Sequence, residues 1–281
     1  MKKHERTKKL SEFLTEEEIK QLGTSYDTVG DIMILEFRDP ELAKKKKQIG
    51  EFMLNNYKNI NVVASRVGMH EGVYRTQKLE VLAGENRKET IHNESKARIM
   101  LDVENVYFSP RLSTERLRIA QQVKNGENVL VMFSGCSPYI CVIAKNSKPK
   151  EIYGIEINPT GHEYALKNIK LNKISNAHLY QGDVRDIVPN LKKEKIKFDR
   201  IIMPLPKQAE DFLDSALSVS KKGTIIHLYQ FLKKEEIPDL ALYRIQTACK
   251  KVKKKYKIMN WRKCGQFSPS VFRVVVDFQV L

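Results

Sequence analysis

No run of ~18 apolar residues occurs, the length a helix needs to cross a bilayer, so no membrane association is expected. The basic start MKKHERTKKLSEFL leads into no apolar signal core, which argues against secretion and for a cytoplasmic protein. Cysteine is scarce. Cys136, Cys141, Cys249 and Cys264 form no CxxC pair and no zinc spacing, so they read as isolated reduced thiols, and no metal site is expected. Internal repeats and low-complexity linkers are also missing. Acidic residues number 34 against 50 lysines and arginines, leaving a net charge of +16. Such an imbalance fits a polyanionic partner, and equally a lysine-rich solvated surface; composition leaves both open. Apolar residues are plentiful, at 41% of 281, enough for one large core or two modest ones.

Two rhythms divide the chain, one over residues 1–110 and one over 111–281. The first predicts a small α+β domain. TEEEIKQL places Thr15 three residues before Glu18, a capping-box start. DIMILEF reads as a strand, and PELAKKKKQIGEFMLNNY as one amphipathic helix with Ile49, Phe52 and Met53 on a face. NVVASRV, QKLEVLAG and ARIMLDV read as further strands. In the second region STERLRIAQQV is a helix capped by Ser113 or Thr114. Strands NVLVMF, EIYGIEI, AHLYQGD, FDRIIMP, GTIIHLYQF and VFRVVVDFQVL then alternate with helices PYICVIAKN, GHEYALKNIKLN, QAEDFLDSALSVS and LYRIQTACKKVKKKY. This alternation predicts a Rossmann-like α/β domain, its mostly parallel sheet covered on both faces. The run KKVKKKYK, Lys250 to Lys257, reads as the solvated end of a helix, with contact to RNA as the other reading.

Ligands of open parallel sheets bind at the carboxyl ends of the strands. The first strand of the second region ends in MFSGCSP, where Gly135 permits a close turn and Phe133 stands at the strand end. The next ends in GIEIN, placing Glu156 where a carboxylate accepts from a ribose diol, 21 residues after Gly135. The third ends in QGD, adding Asp183. Glycine, acid and acid at successive strand ends, without GxGxxG, suit S-adenosylmethionine better than a dinucleotide, since that cofactor has no phosphate to cradle. Taken singly, Glu156 reads as an ordinary acid at a helix start.

The segments NVYFSPRLSTERLRI, MFSGCSP, GIEINPTGHEYALKNIKLN, GDVRD and IIMPLPKQAEDFLDSAL resemble the archaeal and eukaryotic tRNA guanine-N1 methyltransferases that act at position 37, beside the anticodon. The resemblance runs from about residue 25 to the end, and YFSPRLSTER is its most specific piece. It implies a methyltransferase of the class I Rossmann-like type using S-adenosylmethionine, with the tRNA anticodon stem-loop as partner, no required protein partner and a monomeric state. It further implies Glu115 as general base, Arg75 facing the guanine, Tyr107 packed near base and cofactor, and Arg111 supporting the pocket. Phe133, Gly135, Glu156, Asp183, Pro204 and Pro206 fall on the cofactor side, with Pro204 also at the substrate. The family's accessory N-terminal domain, which senses the outer corner of tRNA, is expected to be absent, giving a short form. A sister family that transfers the aminocarboxypropyl group of the same cofactor in wybutosine synthesis is the alternative, and a non-catalytic RNA-binding relative a third.

Two segments depart from the family. Val131 stands for its Asp, FSGCSP for FAGVGP, and Pro204-Leu205-Pro206 for Asn-Leu-Pro. Proline offers no side-chain hydrogen bond and no N–H, leaving only its carbonyl to accept from guanine. His70, His92 and His227 are read as structural.

Overall fold

The computed structural model describes residues 3–22, 26–68, 72–205 and 207–281. It divides into two compact units, residues 1–92 with 100–110 and residues 93–99 with 111–281.

The first unit holds a four-stranded sheet in chain order, β1 (Asp27–Val29), β2 (Ile32–Leu35), β3 (Val62–Arg66) and β4 (Leu79–Gly84), alongside helices α1 (Lys3–Leu10), α2 (Glu16–Leu22), α3 (Pro40–Lys44) and α4 (Lys46–Asn56). The capping box forms as expected: Thr15 N donates to Glu18 Oε2 at 2.8 Å and Glu18 N to Thr15 Oγ1 at 3.2 Å. The helix expected over PELAKKKKQIGEFMLNNY is two helices broken at Lys45, because Asp39 caps α3 and four lysines in a row leave no apolar face to carry the helix through. Ile49 and Met53, one turn apart, are fully buried in a cluster with Leu10, Met33, Val63 and Leu82. Gly50 permits this approach, since a Cβ there would stand 2.7 Å from Leu82 Cβ. A hairpin of β5 (Glu89–Glu94) and β6 (Ala97–Asp102) follows, and its tip belongs to the second unit.

The second unit is built on a seven-stranded sheet. Its strands are β7 (Asn128–Met132), β8 (Glu151–Glu156), β9 (Ala177–Gln181), β10 (Phe198–Met203), β11 (Ser220–Lys233), β12 (Tyr256–Ser268) and β13 (Val271–Val280). Their order is β12-β13-β11-β10-β7-β8-β9. The five strands from β11 to β9 are parallel, and β13 runs antiparallel between β11 and β12. The order reverses at β7, flanked by β8 and β10, which makes its carboxyl end the switch point where ligands bind in such sheets. The helices are α5 (Ser113–Gln122), α6 (Pro138–Asn146), α7 (Pro159–Leu171), α8 (Val184–Lys193), α9 (Leu213–Ser218) and α10 (Asp239–Lys251).

Both faces of β7 are covered. Leu130 and Met132 join one cluster with Val188 of α8, Leu213 of α9 and Ile245 of α10, and Val129 and Val131 are fully buried as well. Each such side chain contributes about 1.5–3 kcal/mol by leaving water. Val131, where the resembling family has an acid, is therefore a core residue here. The expected cap of α5 by Ser113 or Thr114 is not formed. Leu112 holds the N-cap position with no side-chain bond, because a short 3-10 helix, Pro110–Leu112, runs directly into α5. Strand β12 was not expected from the sequence; the helix predicted through Tyr256 ends at Lys251.

Candidate functional site

The loop after β7 is shaped by alternating left-handed residues: Phe133, Gly135 and Ser137 have φ of 60°, 55° and 64°. A bulky residue in this region costs about 1–2 kcal/mol, so the surroundings must fix Phe133. They do so through Ser134 N, which donates to Ile155 O at 2.8 Å, and through the Phe133 ring, set edge-on to Phe212 at 4.8 Å. Gly135 carries no such steric penalty, and its N–H is aimed at Glu156 Oε2, 2.6 Å away. Asn158 N donates to the other oxygen at 2.8 Å. Burial pushes the Glu156 carboxyl above its ordinary value, against the lowering pull of these backbone donors.

Asp183, after β9, caps α8 by accepting from Arg185 N at 2.8 Å. The Arg185 side chain pairs with the same carboxylate at 2.5 Å and holds its pKa below the usual range. Arg185 also lies over the Phe212 ring, 5.6 Å from its centre. Ends of β7, β8, β9 and the loop after β10 are thus joined into one rim. Pro204 follows β10 and is half-buried; Pro206 lies outside the described residues, as does His70.

Glu115 occupies the first turn of α5 and is 6% exposed. Arg118, one turn on, grips it with both arms of the guanidinium, Nε to Oε2 at 2.8 Å and Nη2 to Oε1 at 2.7 Å. Tyr229 of β11 donates its hydroxyl to Oε1 at 2.6 Å. The network continues inward: Arg118 Nη1 to Asp277 at 2.7 Å, His227 Nδ1 to Asp277 at 2.6 Å, and Arg200 Nη1 to His227 Nε2 at 2.7 Å. Arg200 ends on Glu127, Nε to Oε2 at 2.8 Å. Because Arg200 only donates, His227 must accept at Nε2 and carry its proton on Nδ1, as a neutral ring. Burial, the largest influence, lowers the pKa of His227, and Asp277 only partly offsets it. Burial would raise Asp277, but His227 and Arg118 hold it well below the usual carboxylate range. Arg116, beside Glu115, points the other way, into a buried pair with Glu94 on the hairpin tip at 2.5 Å.

Within the first unit, Arg75 has φ of 55° and stacks over the Tyr107 ring at 4.8 Å from its centre. His92 accepts from Gly30 N at 3.2 Å. Arg111 is exposed in the 3-10 turn. The structure therefore groups the proposed residues three ways: Arg75 with Tyr107; Phe133, Gly135, Glu156 and Asp183 on the strand-end rim; and Glu115 with a buried network that sequence reasoning missed. Arg118 was discoverable, being three residues from an acid on a helix. Tyr229, Asp277, His227 and Arg200 come from strands far along the chain and left no local signal. Among the described residues, no group of three or more His, Cys, Asp or Glu side chains is placed to hold a metal, and no helix is long and apolar enough to cross a membrane.

The family description "TRM5/TYW2 methyltransferase domain" matches residues 90–259, and "TYW2 N-terminal domain" matches residues 7–87. The tRNA (guanine(37)-N(1))-methyltransferase Trm5b of Pyrococcus abyssi is 39% identical over 259 residues, covering 92% of this chain and 76% of the relative. The crystal structure of that enzyme superposes with a TM-score of 0.86 at 37% identity, over 95% of this chain and 78% of the other. The tRNA(Phe) (4-demethylwyosine(37)-C(7)) aminocarboxypropyltransferase of Methanocaldococcus jannaschii is 30% identical over 91% of this chain and 98% of its own. With a strand order that reverses at β7, an acid at the end of β8 and another after β9, and these matches along nearly its whole length, the chain belongs to the TRM5/TYW2 methyltransferase family.

Proposed function

We propose that the protein transfers the methyl group of S-adenosylmethionine to N1 of guanosine 37 in tRNA. The observation that carries this reading is the Glu115 carboxylate, buried yet gripped by the Arg118 fork and the Tyr229 hydroxyl in a unit whose strand-end rim suits that cofactor. The rim's donor set fits a non-phosphorylated nucleoside. Its carboxylates Glu156 and Asp183 match a ribose diol and an adenine amine, and the rim cation Arg185 is already paired with Asp183. The Glu156 carboxylate accepts from the backbone of Gly135, Asn158 and Ile157, and its two oxygens together accept about four bonds, so acceptor capacity remains for a hydroxyl. Phe133, Gly135 and the Pro204 segment complete the wall; Pro206 joins them on the motif alone. When bound, the cofactor supplies an electrophilic methyl on sulfur and leaves as a neutral thioether.

N1 of guanine carries a proton at neutral pH and is a poor nucleophile until the proton leaves. Glu115 accepts that proton, and burial keeps water from competing for it. Arg118 and Tyr229 fix the carboxylate so that it need not reorganise during the step. Arg75 is assigned to the negative charge that develops on guanine O6, Tyr107 to the face of the base and Arg111 to support of the pocket, all from the motif resemblance. The Pro204 carbonyl takes over base recognition from the missing amide, as acceptor for the exocyclic amine. The reaction is placed in the cytoplasm.

A second reading, aminocarboxypropyl transfer, is favoured by the match of residues 7–87 to a TYW2 N-terminal domain. Incubating the protein and cofactor with transcripts bearing guanosine or inosine at position 37, then analysing the nucleosides by mass spectrometry, separates them. A methyl gain is expected. An aminocarboxypropyl gain on a tRNA carrying 4-demethylwyosine at position 37, incubated in parallel, selects the second reading, and equal inactivity on the guanosine and inosine transcripts removes this site assignment.

A further inference from the structure

The lysine run at Lys250–Lys257 is the centre of a longer stretch of one sign. From Leu240 to Val276 there is no Asp or Glu, against ten Lys and Arg. The fold itself uses some of them. Arg244 pairs with Glu210 at 2.9 Å, Lys251 pairs with Asp214, and Lys254 Nζ donates to the carbonyls of Leu217 and Ser220 at 2.6 and 3.1 Å. No carboxylate pairs with Lys255, Lys257, Arg262 or Lys263 among the described residues.

Three of these four lie on β12, the edge strand. Lysine on a sheet edge discourages pairing with other chains, which accounts for charge there. It does not account for Met259, Trp261 and Phe267 on the same edge, 52%, 40% and 58% exposed. The register places these groups. Tyr229 of β11 lies opposite Val275 of β13, and Val275 opposite Arg262 of β12; His227, Asp277 and Asn260 form the neighbouring row. Residues directly opposite share a face, so Arg262 and Lys257 share the face on which Tyr229 meets Glu115. Two strand spacings put Arg262 ~10 Å from Tyr229. The Phe267 ring packs on Phe231, 4.5 Å between centres, two residues along β11 from Tyr229. Cys264 lies between, its thiol pushed up to about 12 by burial and then by Glu115. Because β12 is antiparallel to β13, and β13 to β11, β12 runs with β10 and β7. Its Phe267 end therefore lies at the same rim as their carboxyl ends.

We propose that this face of β12 is the track for the RNA strand carrying the target nucleotide, with Lys257 and Arg262 on phosphates and the exposed Phe267 ring stacked on a base beside the target. The proposal rests on the tRNA reading above and names the surface that serves it. Phosphate contacts supply most non-specific affinity, and aromatic stacking accepts any base, which suits an enzyme gripping a loop whose flanking sequence varies.

The test uses the full chain with Arg262→Glu, Phe267→Ala, Phe267→Tyr and, as a control on the exposed end of α8, Lys193→Glu. Binding of an unmodified tRNA transcript is followed by fluorescence anisotropy across salt, together with cofactor affinity, which reports folding. Arg262→Glu is expected to weaken tRNA binding about tenfold and to lower the slope of log K against log salt by ~0.7–0.9, one phosphate contact. Phe267→Ala is expected to cost on the order of tenfold with the slope unchanged, Phe267→Tyr to restore binding, and Lys193→Glu to change nothing. Affinities within twofold of wild type for both Arg262→Glu and Phe267→Ala overturn the proposal. If wild-type protein binds tRNA and loses it in these variants but transfers no group, the surface stands and the functional reading falls. If it transfers methyl and the variants bind normally, the reverse holds.

Discussion

Two carboxylates of the second unit are held in opposite ways. Glu156 is held by backbone: its donors include the N–H groups of Gly135 and Asn158, 21 and 2 residues away in sequence, with Ile157 beside them. Glu115 is held by side chains: Arg118 on its own helix, and Tyr229, 114 residues away. A backbone cradle depends on the conformation of one loop, and little on which side chains surround it. A side-chain cradle depends on separate residues, each removable alone. The first arrangement suits recognition of a fixed cofactor. The second suits a group that must be held in one orientation, because Arg118 is anchored in turn by Asp277.

The contrast can be broken or sharpened by substitution. The largest effect is expected from Glu115→Gln, which keeps the shape but cannot take a proton: methyl transfer should fall by about 10²–10⁴-fold. Cofactor affinity, measured by calorimetry, should stay within twofold; its loss would make Glu115 structural. Gly135→Ala should act on the other carboxylate. Forcing a Cβ into φ of 55° costs about 1–2 kcal/mol, so cofactor binding should weaken about tenfold while tRNA binding holds. An unchanged cofactor affinity would detach the loop from the site. Tyr229→Phe removes one of Glu115's donors and nothing from Glu156. Turnover should drop by about tenfold, the worth of one charged hydrogen bond, with KM for cofactor unchanged. A rise in KM alone would count against it.

The smallest effect concerns the far end of the network. His227 is neutral in the fold with its pKa lowered, so its contribution to stability is present above about pH 6.5 and is lost as pH falls below it, where the unfolded chain takes up a proton first. Thermal midpoints should decline from pH 7 to pH 5, and the decline should be shallower in His227→Gln. Identical slopes in the two proteins would remove His227 from the account.

Much of the second unit was legible because its central strands are buried on both faces and alternate with helices, two of which, α7 and α8, are capped by Asn158 and Asp183. NVLVMF, EIYGIEI and FDRIIMP were read as strands for that reason, and their ends carried the rim residues. β12 was missed because YKIMNWRKCGQFS is exposed on both faces over most of its length, so it has neither an apolar run nor a clean alternation. The lysine run that leads into it, Lys250 to Lys257, instead reads as the end of α10. The cap of α5 was misplaced because Ser113 and Thr114 follow a 3-10 turn, and the local sequence does not reveal that the chain is already helical there.

Sequence alone determined the alternating strands and helices, the turn that needs Gly135 and the acids at the ends of β8 and β9, since each depends on residues near one another in the chain. Which carboxylate is gripped by an arginine and a tyrosine, that His227 is locked neutral between Arg200 and Asp277, and that the basic edge of β12 shares a face with Glu115, only the tertiary structure decided. These depend on strand order and register, and register is set by burial of the whole sheet.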